Sequence, residues 1–377
     1  MSAFIIKGGL VYDPATRQLT KADISVEDGV IVRETTRADD RIIDAEGCIV
    51  TTGLIDYHVH YFNHGTENGV NPDAASFPCG ITTAVDAGSC GAANYELYRN
   101  TVMALSDVRI FNALLIASGG QVTDRYPEQL QVQHFDIPKI KKLFKKYPDN
   151  LVGLKTRMSE GIINPDEAEA SLAATVKLAG EIGCRVIVHI TKPVLGLEKL
   201  TAMLRKGDVV CHAFQGLGRE TILDSSGQVR SCIREAAKRG IWFDASNGRS
   251  NYDLTVCQKA VAQGFFPDII SSDNNTSSFY LQPLHSLPRI LSKYLDMGMS
   301  LEQVLATATI NPARAIGRED LALLEEGTVA DVAIFKLIKK DVDYVDVLGH
   351  TFQGHQVLVP QLTMKSGQVM YCQADFG

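Results

Sequence analysis

The middle of the chain alternates short apolar runs with stretches of helical periodicity. The apolar runs that we interpret as strands cover residues 53–60, 81–88, 109–118, 151–157, 185–190, 208–214, 240–246 and 268–273. Between them, segments such as 165–183 and 231–240 carry apolar residues at i, i+3 and i+4 among good helix formers. Eight strands alternating with helices predict an α/β fold, specifically a (β/α)8 TIM barrel. An open doubly wound sheet is the main alternative, but no GxGxxG motif follows a strand to favour it.

Both ends of the chain have a different pattern from the middle. They are rich in β-branched residues and interrupted by glycine and acidic turn residues, at 4–13, 22–32, 41–50, 328–337 and 362–372. We therefore predict a small β-sandwich domain built from both termini, with residues 1–52 and 325–377. Residues 53–324 would then form the catalytic barrel.

Composition narrows the class of protein. The chain has 377 residues, of which 45% are hydrophobic and 21% charged, and these proportions exclude a disordered or fibrous protein. The formal net charge of −7 argues against a nucleic-acid partner, although it allows a local basic pocket for a small anionic substrate. We find neither a signal-peptide core nor an apolar run of transmembrane length, so we expect a cytoplasmic protein with no membrane partner.

Cysteine usage excludes one kind of metal site. The eight cysteines are scattered, and no two of them form a CxxC pair. A zinc finger is therefore not expected, and in a reducing compartment we expect mostly buried thiols. Cys90 lies in a glycine-rich loop, but nothing else in the sequence favours a catalytic role for it.

Histidine and aspartate side chains end several of the predicted strands. His58 and His60 are two residues apart in the first strand, so both project to the same side. His189, His212 and Asp273 each come at the carboxyl end of a later strand. These ends meet on one face of a barrel, and burying so many ionisable groups there is costly unless a metal compensates. Imidazole and carboxylate are standard zinc ligands, so the sequence predicts a metal site.

Lys155 ends the fourth predicted strand and belongs to the same face. A lysine ammonium is a poor neighbour for a divalent cation, so either its pKa falls or its nitrogen is modified. Carbamylation by carbon dioxide would give an anion able to bridge two metals. From the residues alone, a substrate-binding or salt-bridged lysine is an equal alternative.

These motifs together resemble the amidohydrolase superfamily, and more narrowly its dihydroorotase-like branch of metal-dependent amidohydrolases and deacetylases. The first-strand signature is TTGLIDYHVH, and GLKTRMS matches the strand that carries a carboxylated lysine. The later ligand strands correspond to VIVHI, CHAF and SSD, and the passage to the terminal β domain corresponds to TINPARAIG and EEGTVADVAIF. The resemblance covers essentially the whole chain.

The resemblance implies a barrel flanked by a β-sandwich, two divalent metal ions, usually Zn²⁺, and frequent homo-oligomers. His58, His60 and Asp273 would hold the more buried ion, and His189 and His212 the other. The carbon dioxide-derived carbamate on Lys155 and a hydroxide would bridge them. Asp273 would also be catalytic, because it takes the proton of the attacking hydroxide and passes it to the leaving group.

The substrate-binding residues are less clearly marked. Arg157 shares a strand face with Lys155 and either binds a substrate carboxylate or makes a structural salt bridge. Ser89 lies in a glycine-rich loop that either offers N–H donors to the substrate or is simply a tight turn. Asn247 stands where related sequences would have a histidine, which suggests a different pocket. Ser277 and Tyr280 follow Asp273 and are further candidates.

Other positions argue against particular activities. Dihydroorotases typically have an arginine just after the HxH pair, whereas this chain has Tyr61 and Phe62. The remaining loop histidines that we considered are expected at the surface or beside the site, namely His64, His134 and His285.

We therefore predict a metal-dependent hydrolase that cleaves an amide or ester of a small, carboxylate-bearing substrate, in the manner of a deacylase. A cyclic amidohydrolase of the dihydroorotase or hydantoinase kind is the close alternative. A non-catalytic dihydropyrimidinase-like scaffold is a different class, but such relatives tend to lose metal ligands, and here every position is filled. An adenosine deaminase-like mechanism is disfavoured because it has no need of Lys155.

Overall fold

The computed structural model describes residues 3–37, 40–248, 250–280 and 285–374. The first strands belong to the amino-terminal segment: β1 (Ala3–Asp13), β2 (Gln18–Glu27), β3 (Val30–Val32), β4 (Arg41–Asp44) and β5 (Ile49–Thr52). They cover the runs predicted at this end of the chain.

A curled parallel sheet follows in the middle of the chain. Its strands are β6 (Leu54–Val59), β7 (Ile81–Asp86), β8 (Arg109–Leu115), β9 (Leu151–Arg157), β10 (Arg185–His189), β11 (Val209–Cys211) and β12 (Trp242–Asp244). They pair in chain order, each parallel to the next. Every residue of β6 and β7 is buried, as expected for strands covered on both faces, and this is why they appear as continuous apolar runs in the sequence.

The predicted eighth strand is present only as an extended segment. Residues 269–274 join the two edges of the sheet through parallel bridges from Asp244 to Ile269 and from Val59 to Asn274. The N–H of His60 donates to the Asn274 carbonyl at 2.8 Å, and that of Asp273 donates to the His58 carbonyl at 2.8 Å. The sheet therefore curls round on itself in a TIM-barrel arrangement, although the eighth predicted strand is not continuous.

Helices alternate with the parallel strands. They are α1 (Pro72–Ser76), α2 (Tyr95–Thr101), α3 (Ile137–Lys146), α4 (Pro165–Ile182), α5 (Leu197–Met203), α6 (Ser231–Lys238), α7 (Leu254–Ala262), α8 (Thr276–Phe279), α9 (Leu287–Asp296), α10 (Leu301–Thr307) and α11 (Ile310–Ile316). Short 3-10 helices cover Phe77–Cys79, Met103–Leu105, Val132–His134 and Glu319–Ala322. None of the helices in the described ranges is long and apolar enough to cross a membrane.

Helix α4 shows why the predicted helices form where they do. The Asn164 side chain accepts a hydrogen bond from the Asp166 N–H at the start of the helix, where Pro165 occupies the first turn. Gly183 ends the helix with φ 83°, a left-handed conformation that glycine adopts without steric cost. The predicted helix at 165–183 is thereby confirmed to within one residue.

The carboxyl-terminal strands complete a second sheet. They are β13 (Val332–Val345), β14 (Thr351–Lys365) and β15 (Gln368–Cys372). The order is β15-β14-β13-β5-β1-β2-β3, with β4 beside β1, so strands from both ends of the chain meet where β5 pairs with β13. In the described part of the chain these strands form one connected sheet. The two-sheet sandwich and the domain boundaries at 52 and 325 therefore stay predictions.

A buried ion cluster ties the terminal sheet to the parallel sheet. The Asp331 carboxylate, 2% exposed, accepts from Arg109 Nη1 at 2.7 Å and from Lys365 Nζ at 3.0 Å. The Ser366 N–H also donates to it at 2.8 Å. Arg109 begins β8 and Lys365 ends β14, so the Asp331 carboxylate links the parallel sheet to the terminal sheet.

Replacing Asp331 by asparagine is expected to lower the free energy of unfolding by about 3–5 kcal/mol, because it leaves two basic groups near the interior without their counter-charge. Urea unfolding measures this change. Glu46→Gln is the matched control: it breaks the exposed Lys21–Glu46 pair and should cost less than about 1 kcal/mol. If both substitutions lowered the free energy of unfolding equally, the Asp331 cluster would contribute no more to stability than an exposed ion pair.

Candidate metal centre

The predicted ligand residues converge at the carboxyl ends of the parallel strands. Each is less than one-tenth exposed: His58, His60, Lys155, His189, His212 and Asp273. The parallel register explains the convergence, since equivalent ends of neighbouring strands lie at one rim of the sheet. The structure therefore brings together every residue that the sequence assigned to the metal site.

One group of donors consists of His58, His60 and Asp273. The Asp273 Oδ1 atom lies 3.6 Å from His58 Nε2 and 3.3 Å from His60 Nε2. The opposite ring nitrogens are occupied, since His58 Nδ1 contacts Ser246 Oγ at 3.1 Å and His60 Nδ1 contacts Ser89 Oγ at 3.0 Å. These contacts orient both Nε2 atoms toward the carboxylate. Ser89, predicted to bind substrate, instead fixes the ring of His60.

His189 and His212 form a second group beside the first. Their rings lie 4.3 Å apart, and the ring of His212 lies 4.9 Å from that of His58. His212 Nδ1 contacts the Ser246 carbonyl at 2.9 Å, which leaves its Nε2 atom free. Ser246 therefore orients one histidine of each group.

Lys155 lies between the two groups of donors. Its Nζ atom is 3.0 Å from Cys211 Sγ and 3.4 Å from His58 Nε2. No carboxylate among the described residues pairs with it, and an unpaired buried ammonium is costly. Cys211, which the sequence suggested only as a buried thiol, also lies within ligand distance of His58 and His212.

The glycine-rich loop after β7 packs directly against Lys155. Gly88 has φ 99°, and a Cβ at this position would lie 2.9 Å from Lys155 Cγ. The Ser89 N–H is already bonded to Asp86 Oδ1 at 2.8 Å. Of the two interpretations of this loop, the structure supports a tight turn that makes room for the lysine.

Burial sets the protonation states of the donors. It lowers the pKa of His212 to about 3, and it lowers the pKa values of His58 and His189 well below the usual histidine range. These imidazoles are therefore neutral at pH 7, the form that binds metals. Burial alone would raise the pKa of Asp273, but the hydrogen bond from His60 and the surrounding histidines hold this pKa below its usual value.

A deeper layer of polar residues supports the donors. Asp244 is fully buried and accepts hydrogen bonds from Ser246 Oγ at 2.6 Å and from Ser271 Oγ at 2.7 Å. Through Ser246 it fixes both His58 and His212. Sequence reasoning missed this pair, although Asp244 and Ser246 stand two apart at a strand end in the same way as the HxH pair.

Three residues at the rim have left-handed backbone. His212, Ser246 and Asp273 have φ values of 60°, 39° and 53°. Residues other than glycine adopt this region at a cost of about 1–3 kcal/mol each when the surrounding structure enforces it. The turns lie where β11, β12 and the closing segment end, so they set the directions in which the donor side chains leave the sheet.

A polar cavity of about 150 Å³ opens above the donors. Besides the six predicted ligands, its described lining consists of Asn68, Gln121, Asp124, Arg157, Ser250, Asn251, Asn275 and Ser277. This lining includes no hydrophobic side chain, so the cavity suits a small polar ligand. A larger cavity of about 1030 Å³ lies at the opposite ends of the strands, around Arg185 and Trp242, remote from the histidines.

The predicted substrate residues divide into two sets. Arg157 and Ser277 line the cavity, whereas Ser89, Asn247 and Tyr280 do not. The buried Asn247 side chain accepts from Lys293 Nζ at 2.7 Å, and Tyr280 is 73% exposed. The additional histidines are also outside the lining, namely His64, His134 and His285.

The donor chemistry fits a divalent metal centre. Four imidazoles and one carboxylate supply nitrogen and oxygen ligands, and zinc and related metals accept both. The geometry groups His58, His60 and Asp273 within 4.8 Å of one another.

Comparisons with known proteins agree with this chemistry. A sequence model of the amidohydrolase family matches residues 49–370. A deacetylase of Agrobacterium fabrum is 30% identical over 325 residues, covering 86% of this chain and 79% of the relative. A deacetylase of Brucella anthropi is 28% identical over 325 residues, covering 86% and 80%.

Two solved structures are similar in fold to nearly the whole chain. A crystal structure of a dihydroorotase has a TM-score of 0.89 and 27% identity, covering 99% of this chain and 98% of its own. A crystal structure of an adenine deaminase has a TM-score of 0.90 and covers 99% and 100%, but at 24% identity it indicates the fold alone.

Proposed function

The chain belongs to the amidohydrolase family, and we propose on this basis that it is a metal-dependent deacylase. It would hydrolyse an amide or ester bond of a small, carboxylate-bearing substrate. The observation that carries this proposal is the convergence of His58, His60 and Asp273 with two further histidines on one small polar cavity. The deacetylase relatives support hydrolysis of an acyl group in particular.

The donors suit two divalent ions, most simply Zn²⁺. His58, His60 and Asp273 would hold one ion, and His189 and His212 the other. Lys155, carbamylated by carbon dioxide, would join them, and its burial without a carboxylate partner among the described residues supports this assignment. When bound, the ions supply a hydroxide from water of lowered pKa and a Lewis acid for the acyl carbonyl.

Asp273 would move the proton. As an ionised carboxylate, it would accept a proton from the attacking water and then donate it to the leaving group. The Asp273 Oδ2 atom accepts from Asn251 Nδ2 at 3.0 Å, and Asn251 Oδ1 accepts from Thr191 Oγ1 at 2.8 Å. Asn251 therefore holds the carboxylate in one orientation.

A cyclic amidohydrolase remains the second candidate because of the similarity to a dihydroorotase structure. The residues after the HxH pair count against it. Tyr61 is buried with its hydroxyl 2.9 Å from Ser76 Oγ, and Phe62 stacks on Tyr98 at a centroid distance of 4.5 Å. Both are core side chains rather than substrate ligands. A non-catalytic scaffold is disfavoured by the complete donor set.

Zinc-loaded protein is expected to hydrolyse members of a panel of N-acyl amino acids and O-acyl hydroxy acids. A chelator should abolish this hydrolysis and added Zn²⁺ should restore it, because the donors act through the metals. Product release and metal content per chain are measured together. Turnover of cyclic ureides alone would favour the second candidate, whereas little metal and an unmodified Lys155 would favour a scaffold.

A further inference from the structure

Cys211 lies inside the curled parallel sheet, directly against the Lys155 side chain. Its sulfur is 3.0 Å from Lys155 Nζ, and the residue is fully buried. The register of the sheet explains this contact. Cys211 is paired with His189, and His189 is paired with Arg157, which is two residues from Lys155. Lys155 and Cys211 therefore leave their strands on the same face and meet across β10.

The thiol of Cys211 is oriented so that its sulfur accepts a hydrogen bond from Lys155. Its S–H donates to the Val188 carbonyl oxygen, which is 3.2 Å from Sγ. Because a thiol has only one hydrogen, the sulfur presents lone pairs to Lys155 Nζ. The other hydrogen-bond partner of Nζ in the described part of the chain is His58 Nε2, at 3.4 Å. When His58 Nε2 is bound to a metal, the sulfur is the acceptor that remains.

Carbamylation of a lysine leaves a single N–H, and the direction of that N–H decides where the carbamate oxygens lie. The lone pair of the neutral amine forms a bond to the carbon of carbon dioxide. One C=O bond of carbon dioxide becomes C–O⁻, and one amine proton leaves to solvent. Resonance then makes the nitrogen planar, as in a peptide bond, so it donates a hydrogen bond but does not accept one. An acceptor that holds the N–H therefore fixes the plane of both carbamate oxygens.

We propose that Cys211 is a positioning residue for the carbamate of Lys155. Its sulfur accepts the remaining N–H and so directs the two oxygens toward the two groups of donors. The aliphatic part of the lysine is confined separately, because a Cβ at Gly88 would lie only 2.9 Å from Lys155 Cγ. The inference rests on the proposed function, which supplies the carbamate. It adds the group that orients this carbamate, and it gives the buried thiol a role beyond filling the interior.

The test compares Cys211→Ser with Cys211→Val, since serine keeps an acceptor at this position and valine fills the space without one. Each protein is titrated with ¹³C-labelled bicarbonate in the presence of Zn²⁺, and the carbamate is measured by ¹³C NMR. Metal content per chain is measured after dialysis. We expect the serine variant to form the carbamate within about threefold of the native affinity. The valine variant should lose about 10- to 100-fold in affinity for both carbon dioxide and metal.

Two further variants complete the design. Cys211→Ala also lacks an acceptor and should lose the carbamate as the valine variant does, which guards against misfolding caused by the branched side chain. Cys79→Val is the matched control. Cys79 is also buried, but it lies in the 3-10 helix before β7 and does not line the cavity. The same chemical change there should leave carbamate formation and metal content close to those of the native protein.

Cobalt-substituted protein separates a positioning role from direct ligation. Cys211 lies within ligand distance of His58 and His212, and a coordinating thiol is deprotonated by the metal. A thiolate bound to Co²⁺ would give a sulfur-to-metal charge-transfer band in the near ultraviolet. We expect the native protein and the Cys211→Ser variant to have the same spectrum in this region.

Native carbamate formation in the valine variant, a serine variant as weak as the valine variant, or a charge-transfer band that depends on Cys211 would overturn the positioning role. Absence of a carbamate from the native protein would overturn it together with the proposed metal bridge. The expected order of the variants, with no hydrolysis of any acyl compound by the native protein, would leave the positioning role standing and refute the deacylase function. Hydrolysis by the native protein, with equal carbamate formation in all variants, would support the deacylase and refute the positioning role.

Discussion

Asp273→Asn is expected to leave the protein folded and metal-loaded while turnover falls by about 100- to 10,000-fold. Asparagine retains an oxygen that can face the Nε2 atoms of His58 and His60, so most of the donor set survives. It cannot take a proton from the attacking water, which is the role proposed for the Asp273 carboxylate. Steady-state turnover and metal content per chain measure the two effects separately.

Asp268→Asn is the matched control for this experiment. Asp268 precedes the same closing segment and accepts from the Phe243 N–H at 2.8 Å, at the end of the segment away from the cavity. The same chemical change there should leave turnover close to that of the native protein. Near-normal turnover of Asp273→Asn would remove the proton-transfer role, and loss of metal from that variant would make Asp273 chiefly a ligand.

Lys155→Ala is expected to lose metal. The side chain is 1% exposed and lies between the two groups of donors, so its removal would delete the proposed link between two ions. The loss of affinity should exceed the roughly 10- to 100-fold that removal of an outer-shell partner costs. Metal content after dialysis measures it, and formate or acetate should restore part of it by entering the space that the lysine vacates.

The Lys155→Met variant separates two effects of Lys155→Ala on metal binding: the loss of a donor and the opening of a cavity. Methionine fills much of the volume of the lysine, so this variant should lose metal without rescue by formate or acetate. A Lys155→Ala protein that retained two ions per chain would refute the bridging role. Equal rescue of the alanine and methionine variants would show that the added carboxylate acts elsewhere.

The convergence of the predicted ligands on one rim can be predicted from the sequence because their positions follow from strand register. A buried parallel strand appears as an apolar run, and its carboxyl end is visible as the point where His189 or His212 interrupts that run. Once the strands are parallel and in chain order, these ends must gather at one rim. No long-range detail of side-chain packing is needed for that conclusion.

Features that depend on local backbone direction are not visible in the sequence. Ser246 has φ 39°, and Asn247, the next residue, points into a buried network with Lys293 instead of into the cavity. The contact between Lys155 and Cys211 joins strands 56 residues apart and has no sequence signal. The closing segment is predicted as a strand from its apolar run, but the turn at Asp273 interrupts its ladder.

The left-handed turns at His212, Ser246 and Asp273 also bear on how this protein tolerates sequence drift. Glycine relieves such backbone strain, so substitutions there can gain stability while they remove a donor or its support. A gene copy that is no longer selected for hydrolysis, but is still selected for folding, can therefore acquire glycine at these positions. At the rim of the barrel, relief of backbone strain and retention of the donor side chains thus favour different residues at the same position.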